Sequence, residues 1–183
     1  MISDVLVPLI AVGLAELGDK TQLSILLLSS KTTKHHHLLL GAFLAFLIVD
    51  GVAVLVGSWI TMIVPGSLVR ICSGIVFVAF GILALRTDET KRESKLYFKN
   101  SFLSGFAFVF MMEWGDKTQI ASALFATRYD PLMVLFGTVT ALTLVSVIAI
   151  HLGKLISSRI DDRTMTRIAG VVFVLVGISF FLL

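Results

Sequence analysis

Six apolar runs, each roughly 20 residues long, follow one another along this 183-residue chain. They cover residues 4–29, 38–62, 68–86, 101–126, 132–153 and 165–183. A helix needs about 20 apolar residues to cross the hydrocarbon core of a bilayer, so each run is long enough to span it. Charged residues make up 15% of the chain, whereas a soluble domain carries about 25%. The runs therefore predict an all-α integral membrane protein with six transmembrane helices and the lipid bilayer as its surroundings.

Lysine and arginine fall mainly on one side of these predicted spans. The first, third and fifth connections carry 11 of them, whereas the second and fourth connections with their flanks carry only Arg70 and Arg128. Positively charged loops remain in the cytoplasm, so this distribution predicts that both termini lie outside it. The net charge of +3 is explained by this topology, and we expect no binding to nucleic acid.

The two halves of the chain resemble each other. The sequence RICSGIVFVAFGI at 70–82 resembles RIAGVVFVLVGI at 167–178, and several glycines recur 96 residues apart. Duplication of a three-span unit explains these similarities, and because three is odd, the second copy must enter the membrane from the opposite side. We therefore expect two inverted three-helix repeats, residues 1–86 and 101–183, joined by a charged cytoplasmic linker at 87–100. Inverted repeats are typical of secondary transporters, whose binding sites lie near the midplane where the repeats meet.

A charged motif interrupts the first and the fourth apolar run. It reads ELGDKTQ at residues 16–22 and EWGDKTQ at residues 113–119. A charge at the bilayer centre costs about 2.5–3.5 kcal/mol on insertion scales, and the two motifs contain six charged residues. On a helix the Glu, Asp and Lys of each motif share one face, so one interpretation is a Glu–Lys salt bridge within each helix. Two such pairs would not need the additional aspartates, which favours a functional site.

The charges of the two motifs sum to −2 when every group is ionised. A buried site of that charge requires a divalent cation, or protons when the cation is absent. Carboxylate, amide and carbonyl oxygens suit hard ions such as Ca²⁺, Mn²⁺ and Mg²⁺. We expect the carboxylates of both motifs to converge at mid-membrane, with Thr21, Gln22, Thr118 and Gln119 adding neutral oxygens. The Gly between the two acids could loosen each helix and free backbone carbonyls as further ligands.

The repeated pattern Glu-x-Gly-Asp-(Lys/Arg)-(Ser/Thr) resembles a known family, and the resemblance covers essentially the whole chain. This is the family once filed as uncharacterised protein family 0016, which includes Golgi and bacterial transporters that exchange Ca²⁺ and Mn²⁺ for protons. The resemblance implies that Glu16, Asp19, Glu113 and Asp116 are the cation ligands. It also implies a transported Ca²⁺ or Mn²⁺ ion bound as substrate, with no cofactor. The chain lacks the N-terminal extension and longer central loop of eukaryotic members, which favours a prokaryotic plasma membrane.

The expected function is secondary active transport of Ca²⁺ and/or Mn²⁺ in exchange for protons, through one shared site, with no enzymatic activity. The expected ligands are Glu16, Asp19, Gln22, Glu113, Asp116 and Gln119, supported by Lys20, Thr21, Asp50, Lys117 and Thr118. A passive divalent-cation channel is the alternative within transport. Intramembrane aspartyl proteolysis, suggested by Gly-Asp within a span, is an alternative of a different class. Ca²⁺ and Mn²⁺ accept the same oxygen ligands and are not ranked by the motifs.

Three further features have more than one interpretation. Asp50 lies within the second span, where the repeat-related residue is Ser146. It is either a proton relay, a partner for one of the motif lysines, or a locally satisfied polar residue. The histidines at 35–37 are interpreted as part of a solvated loop, with collection of cations as the alternative, and His151 as an interfacial residue.

Overall fold

The chain is almost entirely helical. The computed structural model describes residues 2–17, 19–30, 32–86, 100–156 and 162–182, and within these ranges there are helices and no strands. In chain order the helices are α1 (Ile2–Glu16), α2 (Lys20–Ser29), α3 (His35–Ile63), α4 (Gly66–Arg86), α5 (Ser101–Glu113), α6 (Lys117–Phe125), α7 (Pro131–Ile156) and α8 (Asp162–Leu182). The all-α class is therefore confirmed. The predicted linker lies outside the described residues except for Asn100, which caps α5 by accepting a hydrogen bond from Phe102 N at 3.0 Å.

Three helices in the described part of the chain are long and apolar enough to cross a bilayer. They are His35–Ile63, Gly66–Leu83 and Pro131–His151, and shorter apolar helical segments occupy Ser101–Glu113 and Gly170–Leu182. Large apolar side chains such as Leu55, Trp59 and Met62 are exposed on the outer face of α3, where lipid would cover them. The chain is thus a membrane protein with apolar helices. The count of six spans and the division into two repeats stay predictions.

The first and fourth apolar runs each contain two short helices instead of one long helix. Residues 17–19 separate α1 from α2, and residues 114–116 separate α5 from α6. In the second break Gly115 has φ +83°, a left-handed conformation that ends an α-helix and that glycine adopts without a steric penalty. In both breaks the amide of the motif Asp donates to the carbonyl of the motif Glu, at 3.2 Å in the first and 3.1 Å in the second. The expectation that Glu, Asp and Lys share one face of a continuous helix is therefore wrong.

The helices pack so that both breaks lie inside the bundle. α3 contacts α5, α6 and α7, while α1 contacts α6, α7 and α8. α4 packs closely against α8, and glycine permits this approach because it has no side chain. A Cβ atom at Gly81 would lie only 2.6 Å from the carbonyl oxygen of Gly170. Phe77 of α4 packs against Phe125 of α6 with 4.8 Å between the ring centroids and 44° between the ring planes, and this contact joins α4 and α8 to the rest of the bundle.

Candidate cation site at the two helix breaks

The two breaks lie side by side because α1 contacts α6 and α2 contacts α5. α1 and α5 end at the motif glutamates, and α2 and α6 begin at the motif lysines. The C-terminal end of a helix carries partial negative charge, so the ends of α1 and α5 favour a cation between them. Broken helices of this kind expose backbone carbonyls that can coordinate ions at the centre of a transporter.

Acidic side chains from both motifs converge at this point. One carboxylate oxygen from each of Glu16, Asp19 and Asp116 lies within 4.8 Å of the others, and this is the group with metal-binding geometry among the described residues. Glu16 is fully buried, and Glu113 is 2% exposed. Glu113, the fourth acid, is hydrogen-bonded to the side chain of Thr21, two residues after Asp19, so it lies in the same region of the fold. The four acids that the family resemblance identified are thus close together in the fold.

The contacts within the cluster cross from one motif to the other. The Thr118 hydroxyl donates a hydrogen bond to Glu16, and the Thr21 side chain is hydrogen-bonded to Glu113. Lys117 donates to Asp19 and forms an ion pair with it. Each motif therefore supplies partners for the acids of the other. The ion pair of Lys117 joins the two motifs, so the interpretation of a Glu–Lys salt bridge within one helix does not hold for the second motif.

Each buried glutamate keeps one oxygen atom for another partner. Glu16 Oε2 and Glu113 Oε1 are buried and have no hydrogen-bond partner among the described residues. Leaving such atoms unpaired is costly, because a buried polar atom that loses water must be satisfied by another group. A cation bound between the glutamates, or protons when the cation is absent, would satisfy these oxygens. Their chemistry suits a hard divalent ion.

The two motif glutamines lie beside the acids but have other partners. Gln119 accepts a hydrogen bond from Gly115 N at 2.7 Å and donates to the carbonyl of Val49 at 3.3 Å, so its amide braces the second break. Gln22 accepts from the Ser146 hydroxyl at 3.3 Å, while its buried Nε2 has no partner among the described residues. The geometry thus places both glutamines in bracing contacts, and their role as ligands stays a prediction.

Asp50 is 1% exposed and accepts a hydrogen bond from the Ser122 hydroxyl at 2.7 Å. It also interacts electrostatically with Glu113, so it lies near the cluster. Sequence reasoning missed Ser122 and the bracing role of Ser146. The signal for Ser122 was a polar residue one turn after the second motif, and for Ser146 it was the repeat relation to Asp50. The Lys20 side chain lies outside the described part of the chain.

Comparison with known proteins finds one family and several relatives. The family described as "Divalent cation/proton antiporter GDT1" matches residues 4–92 and 101–182. A Vibrio cholerae protein named "Putative manganese exporter" is 30% identical over 174 residues, which cover 92% of this chain and 85% of that protein. GDT1-like protein C186.05c of Schizosaccharomyces pombe is 24% identical over 221 residues, which cover 90% and 84% of the two chains. No solved structure matches this chain.

Proposed function

We propose that this chain, which belongs to the GDT1 family of divalent cation/proton antiporters, exchanges a divalent cation for protons through one site shared by its two motifs. Membership of the family confirms the resemblance that the two motifs indicated. It also identifies the chain as a transporter and not an enzyme, so the interpretation as an intramembrane protease is wrong.

The crossing of contacts between the motifs carries the proposal of a shared site. Thr118 and Lys117 of the second motif bond to Glu16 and Asp19 of the first. Thr21 of the first motif bonds to the acid of the second. A motif that served a separate site would find these partners within its own half of the chain. Neither motif is a complete site alone, and one cation bound between them satisfies acids from both.

Exchange follows from competition at the same oxygen atoms. The four acids and the two lysines of the motifs sum to −2, so the buried cluster requires either one divalent cation or two protons. A cation that binds displaces protons, and protons that return displace the cation. Alternating exposure of the cluster to the two sides of the membrane then couples the two movements. We propose that the exchanged ion is Mn²⁺ and/or Ca²⁺, with the name of the Vibrio cholerae relative supporting Mn²⁺.

We also propose the six-span inverted architecture. In this architecture α1, α2 and α3 of the first half correspond to α5, α6 and α7 of the second. The helix contacts agree with a pseudo-two-fold relation between the halves, because each contact has its counterpart. The contact of α1 with α7 corresponds to that of α5 with α3, the contact of α2 with α7 to that of α6 with α3, and the contact of α1 with α6 to that of α5 with α2. α4 and α8 pack against each other, as two helices related by such an axis would. The broken pairs α1–α2 and α5–α6 then count as one span each. The lysine and arginine distribution supports the placement of both termini outside the cytoplasm, and we propose the plasma membrane as the location.

Proton movement in proteoliposomes tests this function. Purified protein is reconstituted with a pH-sensitive dye inside the vesicles, and Ca²⁺, Mn²⁺, Mg²⁺ or Na⁺ is added outside. We expect Mn²⁺ and/or Ca²⁺ to enter and the lumen to become more alkaline, because protons leave in exchange. Vesicles with Glu16→Gln/Glu113→Gln protein should show neither signal. Cation uptake that neither moves protons nor responds to an imposed pH gradient would support the passive channel and contradict the exchanger.

A further inference from the structure

Two histidines far apart in the sequence meet at one end of the bundle. The rings of His35, at the start of α3, and His151, near the end of α7, have centroids 6.4 Å apart and are nearly perpendicular. His35 is half-buried, and its neighbours His36 and His37 are exposed. His35 therefore differs from a histidine in a solvated loop, which was the interpretation drawn from the sequence.

Backbone contacts determine which ring nitrogen of each histidine holds a proton. His35 Nε2 lies 3.2 Å from the carbonyl oxygen of Ser29, and His151 Nδ1 lies 2.9 Å from that of Val147. A carbonyl oxygen can only accept, so these two nitrogens are the donors. In each uncharged ring the other nitrogen, His35 Nδ1 or His151 Nε2, then has a lone pair. No hydrogen bond among the described residues occupies either lone pair.

Histidines that bind metals also make this kind of contact. A ligating His donates its second ring N–H to a carbonyl or carboxylate, which fixes the orientation of the ring. With a metal–nitrogen distance of about 2.0–2.1 Å, one ion can join two rings whose centroids are up to roughly 6.4 Å apart. The separation of 6.4 Å is at the upper limit of that range, which corresponds to a nearly linear N–metal–N arrangement, so the two rings must move closer together for one ion to bind both at a tetrahedral angle.

We infer that His35 and His151 form a second, peripheral binding site for a first-row transition-metal dication at one mouth of the transport path. Ca²⁺ and Mg²⁺ take oxygen ligands and gain little from imidazole, whereas first-row transition dications accept it, Mn²⁺ the most weakly of them. The inference rests on the proposed function for its role, which is to collect the transported ion and to favour Mn²⁺ over Ca²⁺. A site of two histidines completed by water binds weakly enough for the ion to leave inward, as conduction requires.

The position of the pair fits a mouth of the path. Ser29, which accepts from His35, ends α2, and α2 begins at Lys20 in the first motif. α2 has 10 residues, and the steps between them, about 1.5 Å each, place its two ends roughly 14 Å apart. The repeat-related positions at the opposite end are Pro131 and Leu55, which offer no ligand. Only one mouth therefore has this site, and the positive-inside distribution places it on the cytoplasmic side, where export begins.

Metal binding to protein without the central site tests this inference apart from transport. Co²⁺ is titrated into purified Glu16→Gln/Glu113→Gln protein and followed by its visible absorption, which reports nitrogen ligands, and Mn²⁺ is followed by the loss of its free paramagnetic resonance signal. We expect one bound ion that equimolar Ca²⁺ does not displace. Adding His35→Gln/His151→Gln should weaken binding at least about tenfold. His36→Gln/His37→Gln is the matched control, since residues one and two positions away point to other faces of the helix.

Absent Co²⁺ binding, binding that survives loss of both histidines, or displacement by equimolar Ca²⁺ would overturn the inference. His151→Gln alone provides a second variant, because this side chain is exposed and its loss leaves the interior unchanged. In proteoliposomes of protein with both glutamates intact, His35→Gln/His151→Gln should raise the Mn²⁺ concentration for half-maximal uptake about tenfold and leave the maximal rate unchanged. Wild-type vesicles without proton-coupled uptake, together with an intact Co²⁺ site, would defeat the proposed function and leave this inference standing.

Discussion

The two short helices that follow the motifs, α2 and α6, occupy equivalent places in the two halves but are held differently. α6 is fixed to α3 by two hydrogen bonds, from Ser122 to Asp50 at 2.7 Å and from Gln119 to the carbonyl of Val49 at 3.3 Å. Among the side chains that the structure describes, α2 is joined to α7 by one long hydrogen bond, from Ser146 to Gln22 at 3.3 Å, and the same hydroxyl lies 2.8 Å from the carbonyl oxygen of Leu142. The difference arises from one position of the repeat, which is Asp50 in the first half and Ser146 in the second.

The contacts of the motif glutamates, in contrast, are equivalent in the two halves. Thr21 is hydrogen-bonded to Glu113, and Thr118 is hydrogen-bonded to Glu16. The two halves therefore contribute alike to the cluster of acids, whereas the hydrogen bonds that hold α2 and α6 in place differ. An exchanger needs a site that both sides of the membrane can reach, which favours a symmetric centre. Unequal supports would let one half remain in place while the other moves. From the weaker attachment of α2 we expect it to be the more mobile of the two short helices.

The largest expected effect comes from removing one central acid. Glu16→Gln and Glu113→Gln should each abolish exchange, and the double variant should be no worse than either, because residues that act as one unit are strongly non-additive. Gln retains the size of the side chain and removes the charge on which the balance with the cation depends. Uptake of Mn²⁺ and Ca²⁺ in matched vesicles measures this effect.

Asp4→Asn, at the start of α1, is the control for a carboxylate on the same helix but remote from the cluster. It should retain normal uptake. If both single glutamate variants kept substantial uptake and only the double variant lost it, the two motifs would form separate sites. The equivalent contacts of Glu16 and Glu113 would then not reflect one shared cation site.

A smaller and equal effect is expected from the two crossing hydroxyls. Thr21→Val and Thr118→Val each remove a hydrogen bond to a buried glutamate, which should lower the rate of uptake about tenfold, equivalent to roughly 1.4 kcal/mol. Thr→Ser at the same positions retains the hydroxyl and should restore most of the rate. The rates of all four variants, measured at saturating Mn²⁺, test whether the centre is symmetric. A large loss in one Val variant with none in the other would show that only one hydroxyl matters.

The membrane class, the family and the grouping of the acids could be predicted from the sequence. Hydropathy identifies the long apolar helices, and the repeat indicates which motifs must meet. The two helix breaks could not be placed, because the apolar runs at 4–29 and 101–126 continue through them. Only a glycine between the acids gave a hint, and the positive φ of Gly115 shows why it is needed.

Contacts between residues far apart in the chain also could not be predicted from the sequence. The spacing of Glu and Lys within a motif suggested a bond inside one helix, but Lys117 bonds to Asp19 because the other broken helix lies next to it. The meeting of His35 and His151 likewise depends on how α3 and α7 pack. Patterns along the chain describe the faces of single helices, whereas these contacts depend on how different helices are packed together.

The smallest effects should come from the unequal supports. Asp50→Asn weakens, and Ser122→Ala removes, one of the two hydrogen bonds that fix α6, and a hydrogen bond is worth about 0.5–1.5 kcal/mol, so uptake should fall roughly two- to tenfold. Ser146→Ala removes the long bond to Gln22 and a bond of 2.8 Å to the carbonyl of Leu142 within α7, and since only the long bond reaches α2, we expect less than about a twofold change. In all three variants the preference between Mn²⁺ and Ca²⁺ should be unchanged, because none of these residues touches the ion in the proposed site.

Comparing Asp50→Asn with Ser122→Ala separates support from a proton relay. If Asp50 only fixes α6, the two variants should lose uptake to the same extent and retain the wild-type number of protons moved per cation. A relay would make Asp50→Asn much worse than Ser122→Ala, because removing the hydroxyl leaves the carboxyl group able to exchange protons. Proton and Mn²⁺ fluxes recorded in the same vesicles measure this ratio. If both variants lose uptake equally and the number of protons moved per cation is unchanged, the role of Asp50 is to hold α6 in place. Proton exchange then takes place at the four acids of the motifs.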